Sequence, residues 1–275
     1  MTEDTQLPLE TGCWPTTPAD DTYLRRFLLN WAGMCAAAAH SVGGHGRDLP
    51  EVLMADSGRP VVFFNCATLT QPLSTETASA TLDEIAEFFA FADPSGQGEV
   101  LLISAWPTGD LCPSGWNLMG HTPLHLLPTG AVPRSVPPDL DIEEVRDVAA
   151  LHAWERVAIE GYPVDALTGT PPGSITSESW LKEPRLRLWV GWVANRPVSA
   201  SSTWTGHGIN NVTLVATVPD ARGRGYGEAL TWRAALADSS LPAMLISSDV
   251  GRPIYERMGF LPLQRITLWY RTRPS

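Results

Sequence analysis

Lysine is nearly absent from the chain: Lys182 stands alone against eighteen arginines among 275 residues. That bias points to a GC-rich bacterial genome. Basic residues as a class are scarce as well, nineteen against thirty acids, for a formal net charge of -11. The deficit is uneven. Residues 1–135 carry fifteen acids and five bases, or -10, whereas residues 136–275 carry fifteen and fourteen, or -1. A nucleic-acid partner is disfavoured, because phosphate binding needs basic surface in excess. A cationic, amine-bearing partner is easier to accommodate.

Long apolar runs are missing too. No stretch of eighteen apolar residues reads as a membrane-spanning helix, and the acidic start "MTEDTQLPLE" is unlike a basic-then-apolar secretory signal. A cytoplasmic protein with no membrane partner is the expectation. Cysteine is sparse: Cys13, Cys35, Cys66 and Cys112 are far apart, all in the first half, without the paired spacing of zinc sites. Free thiols in a reducing compartment follow. His121 and His125 flank Pro123 with no third ligand at a suitable spacing, so no metal is expected. What the chain has is apolar content, 44%, with eleven tryptophans. Such a composition folds, and the length allows one or two domains.

The proline-rich segment Leu126–Leu140 has no apolar period and reads as a linker. It separates a first domain, residues 1–135, from a second, 136–275. In the second, "DIEEV" reads as a short strand and "RDVAALHAWERVAIEGYP" as a helix with Val148, Leu151, Trp154 and Ala158 on its apolar face. "RLRLWVGWVANRPVSASSTW" reads as two strands joined at Ala194–Pro197, and "NVTLVATVP" as a third. A helix from Gly223, strand "AMLISS", short helix "RPIYERM" and strand "RITLWYR" complete an α/β pattern with a mixed sheet.

The first half echoes this order. Arg59-Pro60-Val61 precedes Arg196-Pro197-Val198 by 137 positions. "VLLIS" at Val100–Ser104 precedes "MLISS" by 144, and Gly115-Trp116 precedes Gly259-Phe260 by 144. Three matches in one order, with the helix-like "LDEIAEFFAF" between, point to an internal duplication.

The most informative stretch is "VPDARGRGYGEAL", where Gly223, Gly225 and Gly227 alternate at the start of a helix. A helix N-terminus leaves N–H groups free and carries partial positive charge, so phosphate settles there when the backbone can approach closely. An ordinary helix can also start on glycines. The Walker pattern is excluded for want of a lysine. The dinucleotide fingerprint fails because Glu228 stands three residues after Gly225.

Arg222-Gly223-Arg224-Gly225-Tyr226-Gly227 fits the pattern Arg/Gln-x-x-Gly-x-Gly, after a strand and before an amphipathic helix. "SSDVGRPIYERMGF" follows about thirty residues later, with Tyr255 on a short helix. Together these stretches resemble the GNAT superfamily of acyl-CoA-dependent N-acyltransferases. The resemblance spans residues 140–275 and implies a GNAT fold, in tandem if the first half is a copy. It implies acetyl-CoA as cosubstrate, held by the backbone of Gly223, Arg224, Gly225, Tyr226, Gly227 and Glu228, with Arg222 shaping the turn. Val215, Ala216 and Thr217 would pair with the pantetheine arm, a strand amide near Thr217 or Val218 would meet the oxyanion, and Ser248 would touch the coenzyme arm. Tyr255 would protonate the departing thiolate.

The acceptor implied is an amine, on a small metabolite, an aminoglycoside-like drug or a protein. Its ammonium must lose a proton first. Glu155, Glu160, His152 and His207 are candidate bases. Of these, Glu155 falls on the apolar side of its helix, where a carboxylate acts as base or amine anchor, or instead pairs with Arg156 or Arg187. Trp154, Trp180, Trp189, Trp192 and Trp204 fall where an acceptor pocket would form, or in the core. The first half has no glycine between Asn65 and Thr81 and has Leu111 where Tyr255 would be, so it is expected to be degenerate. The rival reading is a non-catalytic acyl-CoA-binding module. Oligomeric state stays open, a homodimer included.

Overall fold

The Thr22 hydroxyl accepts the Arg25 N–H at 3.2 Å and starts α1 (Tyr23–Ser41), whose Phe27, Leu28, Trp31 and Cys35 are buried at helical spacing. Residues 22–59, 61–74, 76–92, 98–134, 136–162 and 170–272 are described by the computed structural model. Cys13 and Pro60 lie outside them. β1 (His45–Asp48), β2 (Val52–Asp56), β3 (Asn65–Leu69), α2 (Ala78–Ala92), β4 (Glu99–Ser104) and β5 (Asn117–Leu127) complete the first half.

In the second half, Asp147 caps α3 (Val148–Gly161) by accepting the Ala150 N–H at 2.8 Å, after β6 (Asp141–Glu144). A 3-10 turn at Glu178–Lys182 leads to β7 (Leu186–Val193) and β8 (Arg196–Gly206). Ala194 and Asn195, at φ of 48° and 61°, form the two-residue turn between these strands. β9 (Ile209–Thr217), α4 (Tyr226–Ala235), β10 (Ala243–Ile246), α5 (Arg252–Arg257) and β11 (Leu261–Thr272) follow.

Among the described residues one mixed sheet holds eleven strands, in the order β1-β2-β3-β4-β11-β5-β10-β9-β8-β7-β6. Of these strands, β3 with β4 and β9 with β10 pair in parallel, and the other pairs are antiparallel. The last strand of each half lies between strands of the other: β11 pairs with β4, and β5 pairs with β10.

The β5–β11 register has internal symmetry. Its midpoint sets Thr122 opposite Ile266, an offset of 266 - 122 = 144. Exchanging the strands at that offset turns Leu126–Leu261 into Asn117–Tyr270, His125–Pro262 into Leu118–Trp269, and Pro123–Arg265 into His121–Thr267, all of which are pairs in the sheet. The residues skipped at the two bulges, Met119 and Leu263, obey the same offset. It is also the offset of the "VLLIS" and Gly-Trp matches in the sequence. The Arg-Pro-Val match does not hold. Arg59 and Val61 follow β2, in the connection to the strand parallel to β4, whereas Arg196 opens β8, one strand earlier in the sheet order. Three residues were too few to tell one β connection from another.

The exchange threads one core through both halves. Leu268 of β11 is 2% exposed and packs in a cluster with Phe27 and Leu28 of α1, Leu101 and Ile103 of β4, and Leu124 of β5. Leu268→Ala should therefore cost about 2–5 kcal/mol and shift one cooperative transition seen alike by circular dichroism and tryptophan fluorescence. Two separate transitions, only one of them shifted, would contradict a shared core.

Candidate functional site

β9 and β10 are hydrogen-bonded neighbours at only two positions, Asn210 with Ala243 and Asn211 with Met244. Beyond these the strands part. On its other edge β9 bulges: Ser202 faces Thr213 and Ala200 faces Ala216, so Leu214 and Val215 together oppose Ser201. Leu214 sits at φ +50°, which a leucine adopts only when its surroundings impose it.

The end of β9 is held in place by α3. A Cβ added at Gly161 would lie 2.8 Å from the Ala216 Cβ and 3.1 Å from the Thr217 nitrogen, so only glycine lets the helix end so close to the strand. Arg222 donates from Nη2 to the Gly161 carbonyl at 3.0 Å and from Nε to the Thr217 carbonyl at 3.2 Å. Its guanidinium joins helix end, strand end and the turn that follows.

That turn runs through a 3-10 segment, Pro219–Ala221, into Gly223 and Gly225 at φ of +77° and +82°. Gly225 is the N-cap of α4 and offers no side-chain acceptor, so no side chain caps the first N–H groups of the helix. They open on a cavity of about 510 Å³. Val215 and Thr217 line it from the strand, Arg222, Gly223 and Gly225 from the turn, and Gly227 and Glu228 from the helix. Tyr255 closes it from α5 together with Ile254 and Arg257.

Tyr226 also borders the cavity, but its ring is buried and its hydroxyl donates to Asp139 Oδ2 at 2.5 Å, tying α4 to the segment between β5 and β6. That hydrogen bond raises the phenol's pKa. Burial pushes the Tyr255 hydroxyl up to about 12. Beside Tyr255 lies His125 of β5, ring centroids 6.2 Å apart. His125 pairs through Nε2 with Ser247 Oγ at 3.0 Å, and burial lowers its pKa. The sequence raised His125 only beside His121 as a metal-ligand candidate, because β5 reaches this place only through the strand exchange. Arg257 was missed as well, although it stands two residues after Tyr255 on the same helix.

Several expected residues are placed elsewhere. Ala216 turns its side chain, 4% exposed, into the core, and the Arg224 side chain is exposed outside the cavity lining; both residues were expected to act through their backbone. Ser248 accepts the Gly251 N–H at 3.1 Å and shapes the turn before α5. The Val218 N–H donates to the Val198 carbonyl at 3.0 Å, so it is not free for an oxyanion. Alternation along the strand turns the Thr217 N–H the other way.

Glu155 is fully buried and does not line the cavity. Its carboxylate accepts the N–H groups of Gly173, Ile175 and Thr176 and the Thr176 hydroxyl, at 2.5, 2.6, 3.3 and 3.2 Å. This carboxylate anchors a loop, pairing with neither Arg156 nor Arg187; Arg187 instead pairs with Glu144 at 2.9 Å. Among the described residues no group of three or more potential metal ligands gathers, and no helix is long and apolar enough to cross a membrane.

A second cavity, about 370 Å³, abuts β9 from the side of α1. Thr213 and Leu214 line it, whereas Val215 and Thr217 line the first. The bulge is thus the partition between the two. Trp180 and Trp204 border this second space, while Trp154 is core and donates to the Ser201 carbonyl at 2.9 Å. Trp189 borders a separate groove along α4, and the buried Nε1 of Trp192 has no partner.

No protein-family model matches the chain, and no curated protein is a significant match. Among solved structures it is similar to a GCN5-related N-acetyltransferase from Kribbella flavida, at 19% identity, 87% of this chain, 95% of that one and TM-score 0.62. A functionally unknown conserved protein from Staphylococcus epidermidis matches at 11% identity, 85% and 96% coverage and TM-score 0.62. A GCN5-related N-acetyltransferase from Sphaerobacter thermophilus matches at 17%, 90% and 93%, with TM-score 0.50. At such identities the likeness is one of fold: the chain has the GNAT acyltransferase fold.

Because the loop at residues 170–176 hangs on one buried carboxylate, Glu155→Gln should replace accepting oxygen by a donor facing N–H groups. The expected loss is about 1–3 kcal/mol, read as a lower urea midpoint and faster hydrogen exchange at Gly173, Ile175 and Thr176. Unchanged exchange there would show that the carboxylate does not hold the loop.

Proposed function

We propose that the chain is an acyltransferase moving an acetyl group from acetyl-CoA to a primary amine. The observation that carries this reading is the wedge beyond Asn211, where an uncapped, glycine-built helix start and an unpaired strand edge open on one cavity. The helix N–H groups suit a pyrophosphate. The free edge of β9 at Val215 and Thr217 suits the amides of a pantetheine arm, which would add to the sheet as a strand. Arg222 and Arg257 bring positive charge to the same cavity.

In this reading the neutral amine attacks the thioester carbonyl directly. The developing oxyanion is met by an N–H on the free edge of β9, at Val215 or Thr217. Tyr255 supplies a proton to the leaving sulfur. Its raised pKa keeps the hydroxyl intact at working pH, and the same desolvation raises the nascent thiol beside it, which keeps donor and acceptor matched. Glu155 positions the 170–176 loop, and water takes the ammonium proton.

The chain is a tandem in this reading, with residues 1–135 a degenerate copy of 136–275. The 144-residue offset of the β5–β11 register supports the duplication. At the start of α2 Ser74 Oγ accepts the Thr77 N–H at 3.1 Å, so a side chain occupies a donor that the α4 start leaves uncapped. Leu111, buried, stands at the place of Tyr255. Cys35, Cys66 and Cys112 are free thiols, in keeping with a reducing cytoplasm.

Calorimetric titration of the full chain with acetyl-CoA should give one site per chain, abolished by Gly225→Glu, which sets a carboxylate and a strained φ where phosphate belongs. Two sites, or none, would overturn the assignment. Tyr255→Phe should lower kcat by about 10²–10⁴ and leave acetyl-CoA affinity within a few-fold. Since the phenol stays protonated up to about 12, the wild-type rate should rise with pH as the amine becomes neutral, with no descending limb at pH 8–10. A fall with an apparent pKa near 9 would remove Tyr255 from the acid role.

A further inference from the structure

Resting on the acyl-transfer reading above, we infer that the cavity on the α1 side of β9 takes the acceptor, and that this acceptor is a primary amine on an apolar, aromatic or branched aliphatic body with no second cationic group. Position comes first. Consecutive residues of one bulged strand, Leu214 and Val215, border this cavity and the coenzyme cavity. A nucleophile held against Leu214 and a thioester held against Val215 are therefore one residue apart along the strand and meet in the gap where β9 has left β10.

The walls set the chemistry. Met34 and Ala38 of α1, Phe64, Trp180, Leu186 and Trp204 are apolar, and Phe64 packs edge-on against Trp180 with centroids 5.5 Å apart. The hydroxyls that reach the lining are already engaged. Ser41 Oγ donates to the Ala38 carbonyl at 2.6 Å and accepts the Trp180 indole N–H at 2.8 Å. Ser202 Oγ lies 2.8 Å from Thr213 Oγ1 and donates to the Thr213 carbonyl at 3.0 Å. Ser179 Oγ donates to the Ser41 carbonyl at 3.4 Å. A polyhydroxylated ligand would find few partners here.

Charge excludes a polycation. The carboxylate on the lining, Glu183, has both oxygens held by Arg185, with Nε to Oε1 at 2.9 Å and Nη2 to Oε2 at 3.3 Å. Arg185 in turn lies 4.5 Å from the Trp204 ring centroid. With Lys182 also on the lining, two cations stand against one carboxylate, and His40 adds no negative charge. The same positive balance and apolar walls favour the neutral form of the bound amine, which is the nucleophilic one. In the transfer its nitrogen bonds to the acetyl carbonyl carbon, the carbon–sulfur bond breaks, and an amine proton is lost to water. The thiolate takes one proton from Tyr255, which water restores, leaving an amide and free thiol. Because Met34, Ala37 and Ala38 belong to α1, the first half of the chain sets acceptor choice.

The test is thiol release from acetyl-CoA by the full-length protein with phenylethylamine, spermidine or kanamycin, alongside calorimetry of acetyl-CoA alone. The expected kcat/KM for phenylethylamine exceeds that of either polycation by at least about tenfold. Ala37→Phe should raise the phenylethylamine KM by about tenfold or more with acetyl-CoA affinity unchanged. The exposed Lys182→Glu, which leaves the core untouched, should improve kcat/KM for spermidine by several-fold. If acetyl-CoA binds but spermidine or kanamycin is preferred, or millimolar phenylethylamine releases no thiol, the acceptor assignment falls and the coenzyme reading stands. If acetyl-CoA itself does not bind, both fall.

Discussion

The site exists because a hydrogen-bond ladder stops. Two parallel strands that run side by side ordinarily satisfy each other's backbone groups, and β9 and β10 do so at Asn210–Ala243 and Asn211–Met244 before parting. Past that point the backbone groups of β9 that point away from β8 have no partner on β10. The molecule keeps the wedge open with devices that a closed sheet would not need: a leucine at positive φ in the bulge, a glycine where α3 meets Ala216, and an arginine joining Gly161 to Thr217. A polar ligand edge is the natural complement of such a gap. The α4 start opens on the same space, so its uncapped N–H groups and the free edge of β9 face one cavity.

The exchange of last strands extends this dependence to the whole chain. β5 is the neighbour of β10, and it brings His125 against Tyr255. α1 packs over β9 and forms one wall of the second cavity. The first half thus contributes to both sides of the bulge without a glycine-built helix start of its own. The symmetric bulges at Met119 and Leu263 show how strictly the exchange is kept, since a one-residue slip would reverse the faces of β5 or β11.

Much of this was legible in the chain before any coordinates. Helix and strand spans in the second half followed from apolar period and from β-branched runs. The glycines at 223, 225 and 227 marked a helix start whose backbone a phosphate could approach closely, and Gly223 and Gly225 do sit at positive φ. The 144-residue offset could be read from Val100–Ser104 and Gly115-Trp116. What misled was brevity: Arg59-Pro60-Val61 copies Arg196-Pro197-Val198 in letters but not in place. Glu155 misled differently. Helical periodicity put it correctly on the buried side of α3, yet periodicity does not reveal which donors meet a buried carboxylate, and here a loop twenty residues downstream supplies them.

By itself, then, the sequence determined the local items: which segments are helix or strand, where glycines gather at a helix start, and where that start is left without a side-chain cap. These depend on residues within a few positions of one another, which is why a linear pattern carries them. Tertiary structure alone decided that β5 and β11 change places, that β9 leaves β10 after two residue pairs, and that Leu214 and Val215 face different cavities. Each of these depends on groups more than a hundred residues apart, or on backbone hydrogen bonds that leave no mark on residue type.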